Sequence, residues 1–318
     1  MKELWRLVFF GSGPVALPAL AALMGGPDQV TLVVTTPPAP AGRGRLLRPT
    51  VVAEQTRAAG VPLMETSKIN SPEAVAAIES LKPDLIVVSA FRGILGPNLL
   101  ALGQHPPINV HPSLLPKHRG PAPVNWTILH GDDKAGVSII SMVSKIDAGP
   151  VLAQAERALI PGQGAGELET YLAHDGAKLL IQVIEDLKNK TVNPLPQNPD
   201  LVTHGRRLTK ADGLMDLSKP AAKLINEING LDPWPGARVT FKDKPLRLFG
   251  ALTQPGEPNP GQIIGLDGGR LLIGTGQDVL SVAQCQPEGR NRMTGSDFFH
   301  GYRPTVLKWF PTEPSRDF

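Results

Sequence analysis

The chain has 318 residues, 41% of them apolar and 19% charged, with 33 glycines, 33 prolines and a formal net charge of +3. That length allows two domains with ordinary cores, and the single cysteine, Cys285, excludes an internal disulfide or a thiolate metal cluster. No apolar run approaches the roughly 18 residues of a spanning helix. The opening LWRLVFF is too short for a signal peptide and runs straight into GSGP, so a cytoplasmic enzyme is expected.

Taken in chain order, the N-terminal half alternates strand and helix. LWRLVFF reads as a buried strand, and GSGPVALPALAAL turns into a helix ending near Gly25 and Gly26. QVTLVV is the next strand; TTPPAPAGRGRLLRP after it is too rich in proline and glycine to be regular. Thr50 is placed to cap a helix running to Gly60, and Ser71-Pro72 opens another through Leu81. DLIVVSA and INVH are strands, APVNWTILH a helix, VSIISMV and VLAQAERAL strands, and GELETYLAHDGAKLLIQVIEDLKN a long helix. This alternation predicts an α/β domain over residues 1–189 with a Rossmann-like, doubly wound, mostly parallel sheet. The polar, proline- and asparagine-rich stretch over 190–207 reads as a linker. Beyond it, ARVTF, LRLFGAL, GQIIGL, RLLIGT and VLSVAQCQP are short strands punctuated by turns, which predicts a small OB-like β-barrel over 208–318.

The chemistry gathers in INVHPSLLPKHRG, residues 108–120. Residues two apart on a strand point the same way, so Asn109 and His111 present an amide and an imidazole to one spot. Asp147 follows the run VSIISMV. If both runs are parallel strands, their carboxyl ends open onto one crevice, where ligands of α/β sheets bind. Such a trio suits acyl transfer to an amine: the amide and an imidazolium stabilise the oxyanion, and the carboxylate keeps the ring oriented and charged and helps take the amine's proton.

Competing readings fail on spacing. Gly11-Ser12-Gly13 followed by Ala16 matches G-x-G-x-x-A, but no Asp or Glu occurs between Asp28 and Glu54 to meet a ribose hydroxyl, so a tight strand-to-helix turn is expected. Ser113, His111 and Asp147 lack the G-x-S-x-G elbow of a hydrolase. His105, His111 and His118 match no metal-ligand spacing, so no metal is expected. Residues 29–53 hold Arg43, Arg45 and Arg48 and no acid at all, a pattern on a Gly/Pro-rich loop that points to nucleic-acid contact beyond mere solubility. Phe91 and Trp126 are expected to serve packing, and Trp234 in DPWPG to anchor the core of its domain.

INVHPSLLPKHRG followed by SKIDAGP resembles the signature of formyltransferases that use 10-formyltetrahydrofolate, N-x-H-x-S-L-L-P-x-x-x-G with a downstream Asp. PAGRGRLLRPTVV, RLTKADGLMDLSKPA, NGLDPWPGARVTF and VLSVAQCQPEGRNRMTGSDFFHG resemble segments of the members that formylate methionyl initiator tRNA for translation initiation. The resemblance implies that Asn109, His111 and Asp147 are catalytic. It implies a folate pocket around Ser89, Ala90, Phe91, Arg92, Ser113, Leu114, Leu115, Pro116, Val143 and Lys145. It further implies that Arg43, with Arg45 and Arg48, admits the acceptor end of the tRNA and that Lys210 lies near the aminoacyl end. The co-substrate would be 10-formyltetrahydrofolate, with no metal, membrane or protein partner. Where the family usually reads AYG, this chain has Ala90-Phe91-Arg92-Gly93. Formylation of a small amine such as an amino sugar, or nucleic-acid binding by a chain with an inactive transferase domain, are the alternatives.

Overall fold

A computed structural model describes residues 4–41 and 46–310. By its internal contacts the chain forms two units, one comprising 1–120, 136–157 and 169–204, the other 121–135, 158–168 and 205–318.

The elements, in order, are β1 (Arg6–Gly11), α1 (Leu17–Met24), β2 (Gln29–Thr35), β3 (Ala39–Ala41), β4 (Leu46–Arg48), α2 (Val51–Ala58), β5 (Leu63–Glu65), α3 (Pro72–Ser80), β6 (Leu85–Ser89), α4 (Pro97–Leu100), β7 (Ile108–His111), α5 (Pro123–Leu129), β8 (Lys134–Ser141), β9 (Val151–Ala158) and α6 (Ala165–Lys188). There follow α7 (Ala221–Gly230), β10 (Arg238–Phe241), β11 (Lys244–Gln254), β12 (Ile263–Asp267), β13 (Arg270–Gly274), β14 (Val279–Pro287), β15 (Met293–Thr294) and α8 (Gly295–Tyr302).

The first unit is built on a sheet in the order β5-β2-β1-β6-β7-β8-β9. β1 pairs in parallel with β2 and β6, and β6 with β7. β1 alternates between two cores. Leu7 and Phe9 pack with Leu180, Val183 and Ile184 of α6, whereas Val8 and Phe10 pack with Ile78 and Leu99 on the opposite face. All four β1 side chains are buried, each worth about 1.5–3 kcal/mol in apolar transfer. α6 lies close on the sheet because Gly176 has no Cβ; one would fall 2.8 Å from Val110 Cγ1. The two expected helix caps form: Thr50 Oγ1 accepts from Ala53 N–H at 3.0 Å and Ser71 Oγ from Ala74 N–H at 3.3 Å. Chain order reverses between β1 and β6, so the carboxyl ends of β1, β6 and β7 flank a topological switch point.

Several expectations are corrected. β8 runs antiparallel to β7, with His111 opposite Ser138 and Ile108 opposite Ser141. The carboxyl end of β8 therefore lies beside the start of β7, and the loop after it must double back to present Asp147. Residues 35–49 are not wholly irregular: β3 and β4 form a short antiparallel hairpin, with Ala39 opposite Arg48. Proline is tolerated there because, among the described residues, the two strands pair only with each other and each has a free edge. The first part of the stretch expected as a linker is tied to this unit, Val151 and Leu195 exchanging backbone hydrogen bonds at 2.8 Å. Among the described residues no helix is long and apolar enough to cross a membrane.

The second unit carries an antiparallel sheet in the order β10-β11-β14-β13-β12, with β15 beside β14. Its two edges are joined by the segment before Phe310: Ile263 N–H donates to Thr305 O, and Thr240 and Lys308 exchange backbone hydrogen bonds. Closure of this kind removes exposed strand edges. The core unites Leu246, Leu248, Leu280 and Phe298 with Leu224 and Ile228 of α7 and with Trp126. Trp126 is thus a packing residue, as expected, with its Nε1–H donating to Arg206 O at 2.8 Å. Trp234 is not a core anchor; half of it is exposed, beside an exposed Pro233, and Pro235 is the residue of this turn that is buried. Two helices of this unit lie outside the expectations from sequence. α7 carries Ala221, Leu224, Ile225 and Ile228 at helical spacing, and α8 is capped by Thr294, whose Oγ1 accepts from Asp297 N–H at 3.0 Å.

Candidate active site

Asn109 and His111 end β7, and the i, i+2 geometry brings both side chains to one atom. Asn109 Nδ2 lies 3.4 Å from Asp147 Oδ1, and His111 Nδ1 lies 3.7 Å from that same oxygen. The other carboxylate oxygen, Oδ2, accepts Gly120 N–H at 2.9 Å. Asp147 adopts φ +50°, and Gly120 φ +112°; the left-handed turn at Asp147 aims its carboxylate back across the strand. The loop carrying it is pinched at its neck, where Ser141 N–H donates to Pro150 O at 3.0 Å.

His111 is 4% exposed. Its Nε2 lies 3.1 Å from the carbonyl of His118, which can only accept, so Nε2 carries the hydrogen and Nδ1 faces Asp147. Burial pushes the imidazole below the ordinary histidine range; the Asp147 carboxylate and the His118 carbonyl oppose this shift without cancelling it. The expectation of a standing imidazolium is corrected accordingly. In the free protein desolvation wins, and the ring is neutral at neutral pH.

The strand-end loop is fixed from beneath. Ser138 Oγ–H donates to Ser113 O at 2.6 Å and accepts Leu115 N–H at 3.1 Å, while Gln154 Nε2 donates to Leu115 O and to Ser138 Oγ. Ser113 and Leu115 are buried, Leu114 and Pro116 half-buried. Ser89 is buried at the end of β6, where Ala90 turns through φ +47° and its carbonyl accepts Ser12 N–H. Phe91 sits edge-on against Phe10, the packing role expected of it, and Arg92 is exposed. Val143 and Lys145 are exposed on the loop that carries Asp147. Ile94, Val143 and Ile146 leave apolar surface in water on the 91–96 and 142–149 loops, a chemistry that fits a flat organic ring rather than a bare ion. Arg48 is exposed on β4, whereas Arg43 and Arg45 lie outside the described residues. Lys210 is exposed in the second unit, its carbonyl accepting from Arg238. Among the described residues no cluster of His, Cys, Asp or Glu is arranged to hold a metal ion. Sequence reasoning did not anticipate the His118 carbonyl, Gln197 or Thr203. The first lay inside the quoted stretch, but its left-handed backbone, φ +59°, had no residue-type signal; the other two stood in the presumed linker.

A strand-end trio on a switch-point sheet is compatible with group transfer, and the comparisons give the class. The formyl transferase profile matches residues 5–184 and the formyl transferase C-terminal domain profile residues 207–303. The chain belongs to the formyl transferase family. It is 39% identical over 308 residues to a methionyl-tRNA formyltransferase of Acidithiobacillus ferrooxidans, covering 96% of this chain and 98% of that one. It is 40% identical over 310 residues to that of Desulfotalea psychrophila, covering 95% of each. In fold it is similar to HypX from Aquifex aeolicus in complex with tetrahydrofolic acid, at a TM-score of 0.66 and 16% identity, over 99% of this chain and 50% of that one. It is likewise similar to WlaRD, a sugar 3N-formyl transferase, at a TM-score of 0.66 and 12% identity, over 91% of this chain and all of that one.

Proposed function

We propose that this protein transfers the formyl group of 10-formyltetrahydrofolate to the α-amino group of methionyl initiator tRNA in the cytoplasm. The convergence of Asn109 Nδ2 and His111 Nδ1 on one carboxylate oxygen carries the chemical reading. Likeness at 35–40% identity to methionyl-tRNA formyltransferases over nearly the whole chain supports the acceptor.

His111 Nδ1, neutral and facing the site, takes the proton released when the amine adds to the formyl carbon. The resulting imidazolium is balanced by Asp147 Oδ1, so a charge disfavoured in the free protein is stabilised only as reaction proceeds. Asn109 Nδ2 has a second N–H, which holds the oxyanion. When the carbonyl re-forms, the bond to the folate nitrogen breaks and His111 returns its proton to that nitrogen. Gly120 N–H keeps Asp147 from rotating away. The folate would lie along Ser89–Arg92, Ser113–Pro116, Val143 and Lys145, its ring covering the exposed apolar surface of the two loops. Arg43, Arg45 and Arg48, together with Lys210, are the tRNA contacts, with the transferase chemistry in the segment 1–189 and the tRNA-binding barrel in 208–318. His111→Ala tests the assignment. Single-turnover formylation should fall about 10²–10³-fold with folate affinity little changed; near-normal turnover removes His111 from the mechanism.

A further inference from the structure

The segment after α6 is mostly exposed, yet two of its side chains reach inward. Gln197 Nε2 donates to Asp147 O at 2.8 Å and to Gly149 O at 2.7 Å. Its Oε1 accepts from Nε and Nη2 of the buried Arg119 at 2.9 and 2.7 Å. All four hydrogen-bonding capacities of one amide group are thus spent on joining the Asp147 loop to the 112–120 loop. Six residues on, Thr203 Oγ1 accepts His118 N–H at 2.8 Å, and Thr203 O accepts Arg119 N–H at 2.9 Å. His118 is the residue whose carbonyl takes Nε2–H of His111.

We propose that residues 195–204 form a strap in which Gln197 and Thr203 are positioning residues: Gln197 sets the carboxylate of Asp147, and Thr203 sets the carbonyl that fixes the His111 tautomer. Neither touches the reacting atoms. One strap thereby controls both faces of the imidazole, Nδ1 through Asp147 and Nε2 through His118. Without Gln197 the carboxylate keeps Gly120 N–H and the long contact with Asn109 Nδ2, but the left-handed turn that aims it loses the hold on its backbone carbonyl, and a misplacement of about 1 Å at a reacting group costs on the order of 10²-fold in rate. Packing alone does not explain the segment, because its remaining residues from Leu195 to Leu201 are exposed.

The kinetic consequence rests on the formyl-transfer reading; the positional one does not. The experiment uses the full chain carrying Gln197→Leu, Gln197→Asn, Thr203→Val or Thr203→Ser. Two quantities are read: formylation kinetics, and the NMR titration of His111 in protein with labelled histidine, the signal assigned through His111→Gln. Asp147 and His118 are the titratable groups acting on that ring. Gln197→Leu should lower kcat about 10- to 100-fold with folate KM little changed, and should move the His111 midpoint further down as Asp147 drifts away. Gln197→Asn keeps the amide but shortens its reach, and should fall in the same direction; it carries the test if the leucine variant does not fold. Thr203→Val should perturb the Nε2 signal, and Thr203→Ser should restore it. Wild-type kcat and wild-type titration in the Gln197 variants, with only thermal stability lowered, would overturn the proposal. If the unsubstituted protein forms no formyl-methionyl-tRNA, the functional reading fails while the titration still decides the strap.

Discussion

Gly149 offers a sharp perturbation because the neck of the Asp147 loop leaves no room for a methyl group. A Cβ built there falls 1.7 Å from Ser141 O and 2.9 Å from Ser141 C. Ordinary contact requires the two backbones to separate by about 1.5 Å or more. The neck cannot yield independently, since Ser141 N–H is bonded to Pro150 O and Gly149 O is held by Gln197. The displacement is therefore passed to Asp147, two residues away, whose Oδ1 lies 3.7 Å from His111 Nδ1. Gly149→Ala should cost about 1–3 kcal/mol in stability as an overpacking change. It should also cost on the order of 10²-fold in single-turnover formylation as a misalignment. Stopped-flow or quench-flow turnover with saturating folate separates the two effects, provided the variant is assayed well below its melting midpoint. A stable Gly149→Ala protein with full turnover would refute the claim that the loop neck sets the carboxylate.

His111 resists protonation in the folded chain, whereas its unfolded counterpart takes a proton near pH ~6.5. The unfolded state binds more protons below that point, so stability should be fully present above it and be lost as pH falls from about 6.5 through the folded value; His111→Gln should flatten that part of a melting-midpoint profile, and an unchanged profile would contradict the burial argument. In the arginine-rich stretch, Arg43→Ala should weaken tRNA use far more than folate binding, with smaller effects at Arg45 and Arg48. The logarithm of tRNA affinity should fall linearly with that of salt, more shallowly in the variant; equal losses for both substrates would remove the loop from tRNA contact.

Much of this arrangement was legible in the residues, for physical reasons that also mark where legibility stops. Leu7 to Phe10 and Leu85 to Val88 form unbroken apolar runs because parallel strands are buried on both faces, and Thr50 and Ser71 announced their helices through cap chemistry. The period-2 rule placed Asn109 and His111 together, and both do reach Asp147 Oδ1. Strand direction was another matter. Nothing in VSIISMV distinguishes a parallel from an antiparallel partner of β7, since its burial on both faces is the same in either case. The hairpin at Ala39 and Arg48 was hidden by proline and glycine content, which signals irregularity everywhere except at a free edge. Gln197 was invisible because a proline- and asparagine-rich stretch looks like a spacer. Only tertiary contacts show that one amide in it holds two carbonyls and an arginine.

The central claim concerns the acceptor, and one competition assay addresses it directly. The purified full chain is given limiting 10-formyltetrahydrofolate together with methionyl initiator tRNA and a nucleotide-linked amino sugar, and the formyl label is traced. The account predicts label as acid-resistant formyl-methionine on the tRNA, with the sugar left unmodified. Label on the sugar, or on neither acceptor, would contradict it.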